Sequence, residues 1–241
     1  MTNFFISFGG PHAKFHKAVE DICNEAKEFE AFEEENVIKY TDEDLKNDKE
    51  FWNVHGLMIE SNPRGYGYWL WKIYLCYKTM LLDRVKEGDI IVYADSGCIL
   101  RKQFEKRMNE YIEMCKNSSS GIVVFSLQFE ERHWTKMDLF VYLNACENLK
   151  DDYQIIGGAF IYKKCENTLK IMKEWFETAT YSSYRMLTDV PSQVPNTSDF
   201  IEHRHDQSIF SLLLKKYGCE RLGYEIEEGS GGPIFAARRA K

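Results

Sequence analysis

Ile90-Ile91-Val92-Tyr93 is an unbroken apolar run, the pattern of a strand buried on both faces of a sheet. Ile122 to Leu127 reads as a second buried strand. Ile155 to Tyr162 reads as a third, interrupted by Gly157-Gly158. Phe4 to Phe8, closed by Gly9-Gly10-Pro11, predicts the first strand, and Val37 to Tyr40 a short one. Between these runs the apolar positions change period. Phe15, Val19, Ile22, Cys23 and Ala26 recur at helical spacing, and so do Phe104, Met108, Tyr111, Ile112 and Cys115. Leu169, Met172, Trp175, Phe176 and Ala179 mark a further helix. Tyr68 to Val85 is helical in pattern and rich in aromatics. Ser208 to Tyr217 predicts the last helix, with Gly218 as its C-cap. The acidic run Glu28 to Glu35 reads as the solvated end of the first helix. Residues 41 to 62 are mixed and give no clear assignment.

Strands alternating with helices predict one α/β domain over residues 1–241 with a mostly parallel central sheet. No repeat or linker divides the chain. Tyr181 to Glu202, rich in Ser, Thr, Pro and Asn, exceeds ordinary loop length and reads as a functional lid or a partly disordered stretch. Residues 225–241 read as a flexible tail.

A net charge of −7 over 241 residues argues against a nucleic-acid partner, which needs a basic face, but leaves room for a local phosphate site. Seven scattered cysteines without a Cys-x-x-Cys pair suit reduced thiols rather than zinc. No apolar run approaches the roughly 20 residues that span a bilayer, and Phe4-Phe5-Ile6 lacks the basic flank of a signal peptide. The expectation is a cytoplasmic protein with no membrane span.

Four segments carry candidate chemistry. The run Gly88 to Cys98 ends its strand at Asp95-Ser96-Gly97. A carboxylate there faces the usual ligand crevice of an open α/β sheet; alternatively it caps a following helix. Arg64-Gly-Tyr-Gly-Tyr-Trp-Leu-Trp-Lys72 offers Arg64 and Lys72 to phosphate oxygens, with the aromatics as core. Gly157-Gly158 marks a bulge, a close ligand, or tight strand–helix packing. In His203-Arg-His-Asp-Gln207, Asp206 is either an N-cap or part of an anion-binding helix start. The motifs of dinucleotide-binding, P-loop and serine-hydrolase enzymes are absent.

In order and spacing, Gly67-Tyr-Trp-x-Trp-Lys72 followed by Gly88-Asp-Ile-Ile-Val-Tyr-Ala-Asp-Ser-Gly-Cys98 resembles GT-A glycosyltransferases, in particular small ones of large DNA viruses and bacterial polysaccharide clusters. The resemblance implies a Rossmann-like α/β domain with a mixed, mostly parallel central sheet flanked by helices, and transfer of a sugar from a nucleotide-diphosphate donor, a UDP-sugar, to a hydroxyl of a glycan or glycoconjugate acceptor. It implies Asp206 and Gln207 as catalytic residues at the sugar face, with retention. It implies donor-binding positions at Phe8, Gly9, Arg64, Lys72, Asp95, Ser96, Gly97, Gly157 and Gly158. The family's Asp-x-Asp motif aligns with Asp95-Ser-Gly97, so one carboxylate is kept and the other is glycine. A manganese or magnesium ion would then bridge Asp95 and the diphosphate with water completing its shell. Otherwise Arg64, Lys72 or the tail arginines (Arg238, Arg239) neutralise the leaving group, the resemblance offering a C-terminal segment folded over the diphosphate as the alternative to a plain tail. His205 is a possible ligand, base or surface residue. The alternatives are a non-catalytic nucleotide- or glycan-binding module and a sugar nucleotidyltransferase.

Overall fold

The computed structural model describes residues 1–239, so Lys241 lies outside the described residues. In chain order the elements begin with β1 (Asn3–Gly9), α1 (Ala13–Lys27), β2 (Val37–Thr41), α2 (Asp42–Asn47), α3 (Lys49–Ser61), a one-turn α4 (Gly65–Tyr68) and α5 (Leu70–Leu81). Next come β3 (Ile90–Ala94), β4 (Ile99–Leu100), α6 (Glu105–Asn117), β5 (Ile122–Glu130), and the short α7 (Glu131–Trp134) and α8 (Met137–Tyr142). The last are β6 (Tyr153–Lys163), α9 (Glu166–Tyr184), α10 (His205–Tyr217), β7 (Glu220–Leu222) and β8 (Ile234–Phe235).

The main sheet has the order β2-β1-β3-β6-β5-β7. β6 pairs antiparallel with both β3 and β5, and the other pairings are parallel. The fold is therefore the expected α/β class with a mixed, mostly parallel sheet. Successive residues of one strand enter opposite cores. Phe4, Ile6 and Phe8 join Ile91 and Tyr93 against α5, α9 and α10. Phe5, Ile90, Val92 and Ala94 pack against α1 and α6 on the other face. Both faces are covered, which is why these runs do not alternate. β1 and β3 lie side by side, and the next strands of the main sheet after each, β2 and β5, lie on opposite sides of this pair in the strand order. Their carboxyl ends thus form the crevice where such sheets place ligands.

Two local expectations, for the acidic run and the C-terminal tail, are corrected, and two stretches left open by the sequence take definite form. α1 stops at Lys27, and the acidic run is not its solvated end, because Phe29 and Phe32 turn under the sheet and are buried. Residues 41 to 62 form α2 and α3. The Thr41 N–H donates to Asp44 Oδ2 at 2.7 Å, and Asp48 caps α3 through the Phe51 N–H at 3.2 Å. α3 exposes Val54 and Leu57 while burying Phe51 and Ile59, which blurs its apolar stripe. The segment from 225 is not a free tail over its described length. Ile226 and Ile234 are buried, and β8 pairs with β4. The Arg239 N–H donates to the Gly97 carbonyl at 2.9 Å, and its guanidinium pairs with Glu25 at 2.5 Å. The stretch from Tyr181 to Glu202 starts inside α9 and is then pinned from α8: Asp138 Oδ1 accepts the N–H groups of Gln193 and Val194 at 2.8 and 2.9 Å. Asp138 Oδ2 also pairs with Arg185 at 2.8 Å. Burial alone would raise the Asp138 carboxyl, but these donors outweigh it and lower it to about 2.

Candidate active site

Asp95 stands one residue beyond β3, and no helix begins there for it to cap. Its backbone N–H donates to the Gly158 carbonyl at 2.8 Å, and its own carbonyl accepts the Cys98 N–H at 2.8 Å, closing a tight turn. Tyr93 on the same strand donates its hydroxyl to Asp95 Oδ1 at 2.5 Å. The second carboxylate comes from Asp206 in the first turn of α10. Between them lies Lys72 of α5, with Nζ 3.2 Å from Asp95 Oδ1 and 2.9 Å from Asp206 Oδ2. Nζ also donates to the Gly157 carbonyl at 3.1 Å. Lys72 was expected to meet phosphate oxygens. Instead its ammonium is buried among these three oxygens, because a charge removed from water needs compensating partners.

The electrostatics of the trio follow from burial. Burial works against a charged Lys72, but Asp206 and Asp95 outweigh it and raise its pKa, so it stays protonated. Burial dominates at Asp206, and despite the ammonium its pKa is raised to about 6. Asp206 is therefore not an N-cap. Arg204 holds that position, with no side-chain cap bond.

Gly157-Gly158 lies in an irregular stretch of the sheet. Val124 of β5 pairs with Phe160, yet Ser126 pairs with Ile155, so β6 carries extra residues in between. The extra length delivers the pair to the site. The Gly157 N–H donates to Gln207 Oε1 at 2.9 Å, and a Cβ on Gly157 would lie 3.1 Å from Gln207 Cβ. A Cβ on Gly158 would lie 3.1 Å from Asp95 Oδ2. Gly157 thus serves strand–helix packing, and Gly158 leaves room for the carboxylate. Gln207 also donates to Gln154 Oε1 at 2.6 Å, and Gln154 donates to Glu131, Thr135 and Ser208 beneath it. Gln207 acts here as a strut for the site floor.

The run before α5 has an unusual backbone. Gly65, Tyr66, Gly67, Tyr68 and Trp69 have φ of 58°, 49°, 81°, 53° and 61°, a left-handed turn. Such backbone costs about 1–2 kcal/mol per non-glycine residue and persists where the surroundings dictate it. Here the Gly67 N–H donates to the Asn62 carbonyl at 2.8 Å, and Trp71 Nε1 donates to the Gly65 carbonyl at 3.0 Å. The turn leaves Tyr66 and Trp69 half-buried against the core, in the walls of two adjoining cavities.

The first cavity, about 780 Å³, lies at the ends of β1 and β3. Phe8, Gly9, Ser96, Tyr66 and Trp71 line it, and Phe8 stacks on Trp71 at 4.0 Å between ring centroids. The second cavity, about 590 Å³, contains Lys72, Gly158, Asp206, Gln207, Arg64 and Arg204 in its wall. Trp69, Asp95, Gly97 and Arg238 line both cavities and so mark their junction. The donor-binding candidates therefore divide between the two cavities, except Gly157, which sits behind the wall against α10. Arg64 is half-exposed and pairs with Glu202 at 3.0 Å. Residues 181–202 contribute nothing to either lining among the described residues.

Sequence reasoning missed Tyr66 and Trp69 as wall residues, whereas Arg238, one of the tail arginines named as candidates, does line both cavities. The signal available for the first two was the Gly65-x-Gly67 spacing. His203 and His205 are both buried rather than at the surface. His203 Nε2 meets the Met186 carbonyl at 2.8 Å, and its other nitrogen faces the Lys136 N–H at 3.4 Å, so it has no nitrogen left for a metal. Burial lowers His205 to about 4 and keeps it neutral, with Nδ1 2.8 Å from the Leu187 carbonyl.

The family resemblance implies a divalent cation on Asp95, and the donor set argues against a protein-held one. Hard cations take several oxygen ligands. Gly97 supplies none, Asp95 Oδ1 is engaged by Tyr93 and Lys72, and the nearby carboxylate of Asp206 faces the ammonium. Among the described residues no group of three or more His, Cys, Asp or Glu side chains is placed to hold a metal ion.

No family model matches the chain, and no curated protein matches its sequence. Its fold is similar to that of a solved glycosyltransferase involved in the glycosylation of the major capsid of PBCV-1. The likeness has a TM-score of 0.54 and 10% identity over 100% of this chain and 97% of that one. Mouse xyloside xylosyltransferase 1 aligns over 92% of this chain and 85% of its own at a TM-score of 0.48 and 12% identity. The glycosyltransferase GlyE of Streptococcus pneumoniae TIGR4 aligns over 92% of this chain and 45% of its own, at 0.40 and 13%. The chain thus has a GT-A-like glycosyltransferase fold, and the likeness extends over its whole length. Among the described residues no helix is long and apolar enough to cross a membrane.

Proposed function

We propose that the protein moves a sugar from a nucleotide-diphosphate donor, a UDP-sugar, to a hydroxyl of a glycan acceptor. The observation that carries this reading is the meeting of two cavities at Asp95, Gly97, Trp69 and Arg238, with a carboxylate on the floor of the second. The first cavity offers flat apolar walls, Phe8, Tyr66 and Trp71, to a nucleobase and ribose. A diphosphate leaving that cavity passes Asp95-Ser96-Gly97 and the guanidinium of Arg238. The sugar then enters the second cavity over Asp206 and Gln207, where the acceptor approaches from the rim formed by Trp134 and Arg204.

In the reaction the bond from the anomeric carbon to the diphosphate oxygen breaks. The acceptor oxygen bonds to that carbon, and its proton passes to the departing diphosphate oxygen, which gains negative charge as its bond breaks. Arg238 offsets the charge gathering on the leaving diphosphate, and the Asp206 carboxylate faces the positive charge developing on the sugar. Retention follows if the acceptor enters on the face the diphosphate leaves. Holding both reactants across one junction contributes a further part of the acceleration.

The test is release of nucleoside diphosphate from a panel of UDP- and GDP-sugars by wild type, Asp95→Ala and Asp206→Asn. Turnover of at least one donor by wild type, lowered 100-fold or more in both folded variants, supports the reading. Turnover by none, or equal turnover in the variants, rejects it; binding without turnover would identify a non-catalytic module.

A further inference from the structure

We propose that this site works without a divalent cation, the place between its two carboxylates being filled by the ammonium of Lys72. The inference rests on the glycosyl-transfer reading above and concerns how that site balances its charge. A strand-end carboxylate pair holds a metal by turning free oxygens toward a common point. Here the common point of Asp95 and Asp206 is Lys72 Nζ, at 3.2 and 2.9 Å. The lysine is fixed there by the Gly157 carbonyl as well, at 3.1 Å, and it is buried, so it does not swing aside into water. A metal ion on Asp95 would share one carboxylate with a permanent positive charge.

Further positive charge is supplied where a diphosphate would lie. Arg238 lines both cavities, and among the described residues its guanidinium has no carboxylate within ion-pair distance. Arg64 and Arg204 stand in the wall of the second cavity and both pair with Glu202, at 3.0 and 3.2 Å, while Arg64 also reaches Asp189 at 3.8 Å, so Arg238 is the cation at the junction. A guanidinium presents paired donors to phosphate oxygens and keeps its charge at any working pH. The junction therefore has a fixed cation for the leaving diphosphate, and the floor has a fixed cation for its carboxylates.

Calorimetric titration of the full chain with UDP and with GDP, once in EDTA and once in 1 mM-range manganese chloride, tests this. The proposal expects a nucleotide affinity that changes less than about threefold between the two buffers, well under the tenfold that 1.4 kcal/mol represents. Binding that appears only with manganese overturns the proposal and leaves the glycosyl-transfer reading standing. Binding of neither nucleotide in either buffer rejects that reading and this inference with it. Manganese binding to apoprotein, followed by electron paramagnetic resonance, adds an independent readout. Lys72→Met frees both carboxylates and should bind manganese at least tenfold more tightly than wild type. Equal binding by the two proteins counts against Lys72 as the occupant of that place. If the variant does not fold, the wild-type titrations alone decide.

Discussion

Lys72→Met should destabilise the fold in a pH-dependent way. The side chain keeps most of its volume, so the perturbation is the loss of a buried positive charge. Breaking a buried ion pair by removing one partner costs about 3–5 kcal/mol. Asp95 contributes little of this, because its side chain is 35% exposed and solvent screens it. The cost falls on Asp206, whose side chain is 5% exposed and whose carboxyl burial already raises to about 6 in the presence of the lysine. Without the lysine that value climbs further. A carboxyl whose folded-state pKa lies above its unfolded one loses stability as pH rises from the unfolded toward the folded value. The penalty in the variant should therefore be largest above neutrality and shrink on acidification, by at most about 1.4 kcal/mol per pH unit. Urea denaturation at pH 5.5 and 8 measures it. With a slope on the order of 3 kcal/mol/M, the variant's midpoint should fall by roughly 1 M or more at pH 8 and by clearly less at pH 5.5. Lys72→Met with Asp206→Leu should recover much of the loss. A shift equivalent to under about 1 kcal/mol, or one identical at both pH values, would show that the trio is not the buried charge cluster described.

Donor turnover should decline below pH about 6, because Asp206 then takes up a proton and no longer faces the sugar as a carboxylate. A pH–rate profile of kcat/KM shows this limb, and Asp206→Asn should lower the rate and flatten the profile. Gly158→Ala places a methyl 3.1 Å from Asp95 Oδ2 and should cut turnover at least tenfold while leaving the circular dichroism spectrum unchanged. Asp138→Ala removes the acceptor of the Gln193 and Val194 N–H groups, so hydrogen exchange should quicken at those two amides but not in β3.

The two central strands and α10 could be read directly, because burial on both faces of β1 and β3 writes itself as unbroken apolar runs. Asp95 could be read for the same reason: it is the first polar residue after such a run. What escaped reading depended on partners far away in sequence. Lys72 looks like a phosphate ligand in isolation, and only the fold brings Asp95 and Asp206 to its ammonium. Phe29 and Phe32 are hidden among glutamates, and their burial is set by the sheet edge they turn under. The left-handed turn at 65–69 has the composition of a helix entrance; Gly65 and Gly67 permit it, but Trp71 and Asn62 fix it. The C-terminal stretch reads as a tail because its Gly-rich lead-in outweighs two isolated isoleucines, which are buried only once Ile234 pairs with Leu100 of β4 and the Ile226 carbonyl accepts the Ala236 N–H at 2.9 Å.

The most direct test of the central claim is a crystal structure of the protein with a non-hydrolysable UDP-sugar analogue. The account predicts the uracil and ribose against Phe8, Tyr66 and Trp71, the diphosphate at Gly97 and Arg238, and the sugar in the second cavity over Asp206. An analogue bound away from this junction, or seated with its sugar pointing out of the second cavity, would contradict it.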